Sequence, residues 1–198
     1  MGVPIGQDGS GVTIADLFGS SRGFARQGEP VEPARKARLL ERLKARIAAS
    51  PETALDELVQ MAVDHCHAES AGISLEEDAP GGGLQFRWVA VAGSFKKYLH
   101  GTTPRFYSPC GTCLDRGVPQ RYQVTLPYYN FLGVTADPIL DGVLIPWQSR
   151  KMRGTLWLVS HVSQDVFTAS DYELFHSLAQ LVALGIDKAP AAYFQKPS

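Results

Sequence analysis

Hydrophobic residues recur at two different periods along this chain, and the switch between them predicts the order of the elements. Leu39, Leu40, Leu43 and Ile47 fall at helical spacing with Arg and Lys on the remaining faces, so an amphipathic basic helix is expected over 34–49. Ser50-Pro51-Glu52 stops it and opens a second helix, because serine caps, proline is tolerated at the first helical position and glutamate suits a positive N-terminus. That helix is expected to reach about Ala68, with Leu55, Leu58, Val59, Ala62 and Cys66 as its apolar stripe. The period then drops to two. Ala71, Ile73 and Leu75 alternate with Gly72, Ser74 and Glu76; Asp78 to Gly83 is turn chemistry; and Leu84, Phe86, Trp88, Ala90 and Ala92 alternate with Gln85, Arg87, Val89 and Val91. These two strands are expected to form a hairpin.

Residues 93–105 read as an irregular flank with a short helix at Ser94–His100. Gln120, Tyr122 and Val124 alternate, Pro127-Tyr128-Tyr129-Asn130-Phe131-Leu132 reads as an aromatic loop that either covers something or joins the core, and Asp141–Trp147 and Gly154–Val162 read as adjacent central strands joined by a basic loop. On the second of these, Thr155, Trp157, Val159 and His161 share one face and Leu156, Leu158, Ser160 and Val162 the other, so both faces must be covered. Phe167-Thr168-Ala169-Ser170-Asp171-Tyr172 is a capping-box pattern, with Thr168 as cap, Asp171 reaching back and Phe167 stapling onto Tyr172. The helix it starts carries Leu174, Leu178, Leu181 and Val182 to about Asp187. Helix, hairpin, irregular flank, strands and helix make an α+β domain over 34–189. It is preceded by a Gly-, Ser- and Pro-rich segment, 1–33, read as a flexible arm whose only apolar stretch is a capped turn at Thr13–Phe18, and followed by a tail, 190–198.

Composition narrows the partners. A formal net charge of −1 with Lys and Arg dispersed among Asp and Glu gives no electrostatic footprint for nucleic acid or an anionic membrane. No apolar run is long enough to span a bilayer, Met1 to Ser20 lacks the pattern of a signal peptide, and three cysteines are an odd count, so a reducing cytoplasm is expected. His65 and His67 flank Cys66, but residues two apart on a helix point in different directions and zinc spacings are absent.

The candidate chemistry sits in Ser108-Pro109-Cys110-Gly111-Thr112-Cys113. A Cys-x-x-Cys spacing lets two thiols reach each other or one metal ion, and a Ser-Pro entry into a helix would lower a thiol's pKa through unpaired backbone N–H groups. The competing reading makes both cysteines small buried residues that close a turn.

Gly154-Thr155-Leu156-Trp157-Leu158-Val159-Ser160 followed by Phe167-Thr168-Ala169-Ser170-Asp171-Tyr172-Glu173-Leu174-Phe175-His176-Ser177-Leu178-Ala179 resembles the last strand and C-terminal helix of the GAF domain. Ser108-Pro109-Cys110-Gly111 followed by Leu114-Asp115-Arg116-Gly117-Val118-Pro119 looks like a subgroup of bacterial GAF domains often found ahead of histidine kinase modules. The resemblance implies a GAF/PAS-like central antiparallel sheet with N- and C-terminal helices packed on one face and an irregular loop and short-helix flank on the other. It also implies a ligand pocket under that flank and homodimerisation through the terminal helices.

Comparison with GAF-type free methionine sulfoxide reductases, whose Gly-Val-Cys-Gly segment resembles Pro109-Cys110-Gly111, bounds the chemistry. There the last strand aims two acidic residues into the pocket. The matching positions are Trp157 and Val159, which implies that both face the pocket without the acid chemistry. The nucleophilic cysteine of those enzymes lies in the loop before the strand near Asp141, and Thr135-Ala136-Asp137-Pro138 holds none, leaving Cys110, with Cys113 to resolve it. Bilin-attaching GAF domains use a cysteine followed by histidine, whereas Cys66-His67 lies on a helix before the first strand. The cyclic-nucleotide signature Asn-Lys-x-x-x-Phe-x-x-x-Asp-Glu is absent. For a haem, His161 or His100 would be the histidine to offer, and both read more simply as polar edge residues.

The leading expectation is a cytoplasmic sensory or regulatory domain, not an enzyme and without a cofactor. It binds a small molecule, forms a homodimer, and has a histidine kinase or another signalling protein as candidate partner. Its pocket would be lined by Trp157 and Val159, with Cys110 and Cys113 at the edge and His161 on the same strand face. Trp88 or Trp147 would add aromatic surface, since two tryptophans on opposite strand faces cannot both line it. The alternative is a thiol redox switch or methionine-sulfoxide-reductase-like enzyme using Cys110 and Cys113. A third reading docks the apolar face of helix 34–49 on a partner or a second copy.

Overall fold

The computed structural model describes residues 6–7, 9–18, 24 and 32–194. In chain order these form β1 (Val12–Asp16), α1 (Pro33–Ala49), α2 (Pro51–His65), β2 (Ser70–Asp78), β3 (Leu84–Gly93), β4 (Thr102–Pro104), α3 (Pro109–Arg116), β5 (Gln120–Val124), α4 (Leu126–Leu132), β6 (Ile139–Gln148), β7 (Arg153–Ser160) and α5 (Ala169–Lys188). Short 3-10 turns occupy Ser94–Tyr98, Arg105–Tyr107 and Ala191–Phe194. The strands make one antiparallel sheet in the order β1-β5-β6-β7-β2-β3-β4, which puts β7 at its centre and confirms the α+β class.

Each face of the sheet has its own core. On one face α2 and α5 lie on the strands and α1 packs across them, burying Leu43, Ile47, Leu55, Leu58, Leu174 and Leu178 against Ala71, Ile73, Ile145, Leu156 and Leu158. Gly185 of α5 permits a close approach there, since a Cβ on it would meet Leu55 Cδ2 at 2.7 Å. The Thr168 capping box forms as its sequence predicts, with the Thr168 hydroxyl accepting from Asp171 N–H at 3.2 Å and Asp171 Oδ2 accepting from Thr168 N–H at 2.9 Å. The opposite face carries Phe86, Val91, Tyr122, Val124, Leu144, Trp157 and Val159 beneath the irregular flank.

Four expectations change. Val12–Asp16, read as a capped turn within a flexible arm, is an edge strand paired with β5 from Val12↔Val124 to Asp16↔Gln120. Most of the rest of the expected 1–33 arm, and the tail beyond residue 194, lie outside the described residues. The aromatic loop is α4, with Pro127 in its first turn and Gly133 in the left-handed conformation closing it. On β3 the register slips between Ile73/Ser74 of its partner, so Ile73 faces Ala90 and Ser74 faces Trp88, leaving Val89 as a bulge. Ala90 and Ala92 therefore join Val89 on the helix face and Val91 crosses to the other, which breaks the simple alternation over 84–92. Lastly, the apolar stripe of α1 is spent inside the domain: Leu39, Leu43 and Ile47 are buried against its own helices, so that face is not free to dock a partner.

Candidate functional site

The floor of the site is made by two aromatic rings lying across two glycines. Gly72 pairs directly with Trp157, and a Cβ at Gly72 would come within 2.2 Å of the Trp157 ring. Gly142 pairs directly with Tyr122, where a Cβ would come within 2.5 Å of the phenol ring. The missing side chains let both rings lie over the neighbouring strand instead of standing away from it. Trp88 and the 3-10 turn after β3 supply one wall: Trp88 lies 4.8 Å from Trp157 and 5.9 Å from Phe95 between ring centroids, and Phe95 meets Tyr98 edge-on at 5.2 Å.

Helix α3 forms part of the roof, and its placement follows from local sequence. Ser108 Oγ caps it by accepting from Gly111 N–H at 3.0 Å, Pro109 occupies its first turn, and Gly117 ends it with φ 68°. Gly111 has no alternative, because a Cβ there would sit 2.1 Å from the Arg105 carbonyl oxygen. Arg105 clamps the assembly by donating to Glu76 of β2 at 2.9 Å and in bidentate fashion to Asp115 of α3 at 2.8 and 2.6 Å. That guanidinium holds the Asp115 carboxyl below the usual carboxylate range. Helix α4 completes the roof with Tyr128 and Tyr129.

Between floor and roof is a cavity of about 130 Å³. Its lining includes Trp88, Phe95, Tyr98, Cys110, Tyr122, Tyr128, Tyr129 and Trp157, with Val124, Leu132, Val134, Ala136 and Ile139 filling the gaps and Thr102, Thr103 and Ser108 at its edge, and contains, among the described residues, no Asp, Glu, Lys, Arg or His. The aromatic tips are mostly committed. Tyr98 donates to Thr135 O at 2.8 Å, Tyr128 to Tyr107 O at 3.0 Å, Tyr129 to Asp137 O at 3.0 Å and Trp157 Nε1 to Ser74 Oγ at 3.1 Å.

No protein-family profile matches the chain, nor does any curated protein sequence. Solved structures do match. The GAF domain of an Acinetobacter phosphoenolpyruvate-protein phosphotransferase superposes with a TM-score of 0.57 at 16% identity, covering 85% of this chain and 100% of that one. The fold is GAF-like. A free methionine-R-sulfoxide reductase from Neisseria meningitidis, solved with its substrate, gives a TM-score of 0.58 at 14% identity over 83% of this chain and 96% of that one. The phycocyanobilin-bound GAF domain of a cyanobacterial phytochrome gives 0.54 at 14% identity over 76% of this chain and 94% of that one. At these identities the likeness is one of fold.

Within this GAF-like frame the residues singled out from sequence separate. Trp157, Trp88 and Cys110 line the cavity, and Val159 is buried on the same face without lining it. Trp147 belongs to the helix-face core, because residues 143, 145 and 147 of β6 point to that side; this settles which of Trp88 and Trp147 is on the cavity side. His161 lies beyond the end of β7, packs on Phe95 with ring centroids 4.2 Å apart and planes tilted by 43°, and hydrogen-bonds through Nδ1 to the Pro138 carbonyl at 3.0 Å, outside the lining. Cys113, on α3 itself, is fully buried with its thiol directed at Val118 O, 3.7 Å away, and does not line the cavity.

Of the two readings of the Ser-Pro entry, an activated thiol and small buried residues, the structure supports the second. All three cysteines are free and buried. Burial pushes the Cys110 thiol up, against smaller opposite effects of the Thr155 and Ser74 hydroxyls, and it pushes Cys113 and Cys66 up as well. The helix N-terminus exists, but desolvation outweighs it. The lining residues that sequence reading missed are Phe95, Tyr98 and Tyr122, whereas Tyr128 and Tyr129 belong to the aromatic stretch it offered as a cover. For Tyr122 the available signal was its pairing against Gly142 on the adjacent strand, which requires knowing the register.

Proposed function

We propose that this chain is a ligand-sensing GAF-type module of a regulatory protein, acting by binding a small molecule in the cavity. One observation carries the reading: the sheet keeps about 130 Å³ open under an aromatic roof, although protein interiors ordinarily pack without such voids. In an apolar core a space of that size costs at most about 3 kcal/mol, and a ligand that fills it offsets this by mass action. β3 is the element that touches both the cavity and the end of the chain. It presents Trp88 to the cavity, while Arg87 donates to Phe194 O at 2.7 Å and Val89 O accepts from the Tyr193 hydroxyl at 3.1 Å. We read this as the route from ligand to output, with a histidine kinase or another cytoplasmic signalling protein downstream. Phe18, 59% exposed against Tyr172, and Leu184 of α5, 40% exposed, are apolar side chains on the helix side open to homodimer contact, a point sedimentation equilibrium decides.

The reductase alternative fits the cavity less well. Free methionine sulfoxide is an amino acid with two opposite charges, and the lining offers neither sign. Its chemistry also needs a thiolate, whereas burial keeps Cys110 protonated at neutral pH.

The test is mass spectrometry of small molecules released from the purified protein, with a thermal-shift screen of fragments on wild type and on Ala136→Ile, which fills the cavity. Compounds that raise the melting temperature of wild type but not of the filled variant are expected. Compounds that stabilise both alike, or no stabilising compound at all, would overturn the reading.

A further inference from the structure

The cavity that serves the proposed sensing role also specifies what it accepts. Its size comes first. An apolar cavity of roughly 150 Å³ holds benzene, so about 130 Å³ matches one six-membered ring with one small substituent.

Charge comes second. Among the described residues no carboxylate, lysine, arginine or histidine lines the space, and Lys97, whose Nζ lies 5.1 Å from the Tyr98 ring centroid, is outside the lining. Tyr122, Tyr128 and Cys110 are all pushed toward their neutral forms by burial. A charged ligand would lose its hydration without gaining a counter-ion. Aromatic walls do hold quaternary ammonium ions when several ring faces turn to a common centre. Here ring surface is engaged by other rings, as in the stacked Trp88–Phe95 pair at 19° and the stacked Tyr107–Tyr128 pair at 28°.

Polarity comes third. Four of the wall's polar ring atoms already donate within the protein, but the Tyr122 hydroxyl makes no hydrogen bond among the described residues although Tyr122 is only 5% exposed and lines the cavity. The indole N–H of Trp88 is unpaired in the same sense. Both groups open onto the cavity, so a ligand that supplies a partner there gains a hydrogen bond sheltered from bulk water.

We propose that the cavity binds an uncharged single-ring aromatic compound carrying one oxygen function, a phenol or an aryl aldehyde or ketone, with the oxygen paired to the Tyr122 hydroxyl. This rests on the sensing reading and adds the ligand class to it. The experiment titrates the full chain with phenol, benzaldehyde, toluene, benzoate and tetramethylammonium, reading affinity by NMR. Phenol and benzaldehyde are expected to bind tightest, with benzoate and tetramethylammonium weaker by at least about 10-fold. Tyr122→Phe is expected to weaken phenol by about 3- to 10-fold and leave toluene unchanged. Comparing the probes on wild type alone keeps the test valid if that variant folds poorly. Benzoate or tetramethylammonium binding as well as phenol would overturn the ligand class while leaving a sensing cavity in place, as would equal phenol affinity in wild type and Tyr122→Phe. Absence of binding by every probe, toluene included, would remove both.

Discussion

The two faces of this sheet are filled in opposite ways. Against the helices the buried side chains are mostly aliphatic, with Leu43, Ile47, Leu55, Leu58, Leu156 and Leu174 all at 0 or 1% exposure, and branched chains of that kind interdigitate until the space is gone. Under the irregular flank the large side chains are rings, and most of their polar tips are tied to backbone carbonyls or to Ser74. A flat ring fixed at its tip cannot shift to close a gap. One face is therefore built to be full and the other to stay open, on strands shared by both.

The comparison can be broken most severely on the full side. Leu58→Ala is expected to cost about 2–5 kcal/mol in urea unfolding, since the site cannot collapse, and to leave ligand affinity unchanged in the protein that remains folded. Next is Gly72→Ala, where the new methyl meets the Trp157 ring at 2.2 Å and Ala90 O at 2.8 Å. It is expected to destabilise by about 1–3 kcal/mol and to drive the indole into the cavity, abolishing binding. Loss of stability without loss of binding would show that Trp157 does not form the floor.

The same substitution placed on each face should have opposite signs. Ala62→Ile on the helix side, where Ala62 is fully buried, is expected to cost about 1–3 kcal/mol. Ala136→Ile at the cavity is expected to add about 0.5–2 kcal/mol by filling space. Two losses of equal size would mean that the cavity face is as full as its opposite.

The smallest effect is alkaline. Burial raises the folded-state pKa of Cys110, Cys113, Tyr122, Tyr128 and Tyr129 on the cavity side, and of Cys66, Tyr172 and Tyr193 on the other. These acids are neutral when protonated, so above the ordinary range of about 8.5–10 the unfolded chain releases protons that the folded chain keeps, and stability falls as pH rises. Urea midpoints between pH 7 and pH 10 should drop less in Tyr122→Phe than in wild type, and less than in Tyr172→Phe, whose ring is less buried.

What the sequence made legible follows from where local pattern decides. Trp157 and Leu156 could be assigned to opposite faces because a central strand alternates without interruption, and the Thr168 capping box is a contiguous string. The bulge at Val89 was not legible: one extra residue reverses the facing of everything after it, and only the partner strand shows it. β1 is five residues whose strand state depends on pairing with residues 120–124, far along the chain. Cys110 was placed at the start of a helix, but choosing between an activated and a buried thiol there needed the structure, because the helix N-terminus can be read from Ser108-Pro109 and the burial that overrides it cannot. Tyr122 went unnoticed because its significance comes from Gly142 across the ladder.

The three tryptophans offer a direct reading of the central claim, since Trp88 and Trp157 line the cavity and Trp147 lies in the helix-face core. Phenol titrated into the protein while the three indole N–H signals are followed by NMR should shift Trp88 and Trp157 along one saturable curve and leave Trp147 in place. All three moving together, or Trp147 moving alone, would contradict a ligand site confined to the aromatic face.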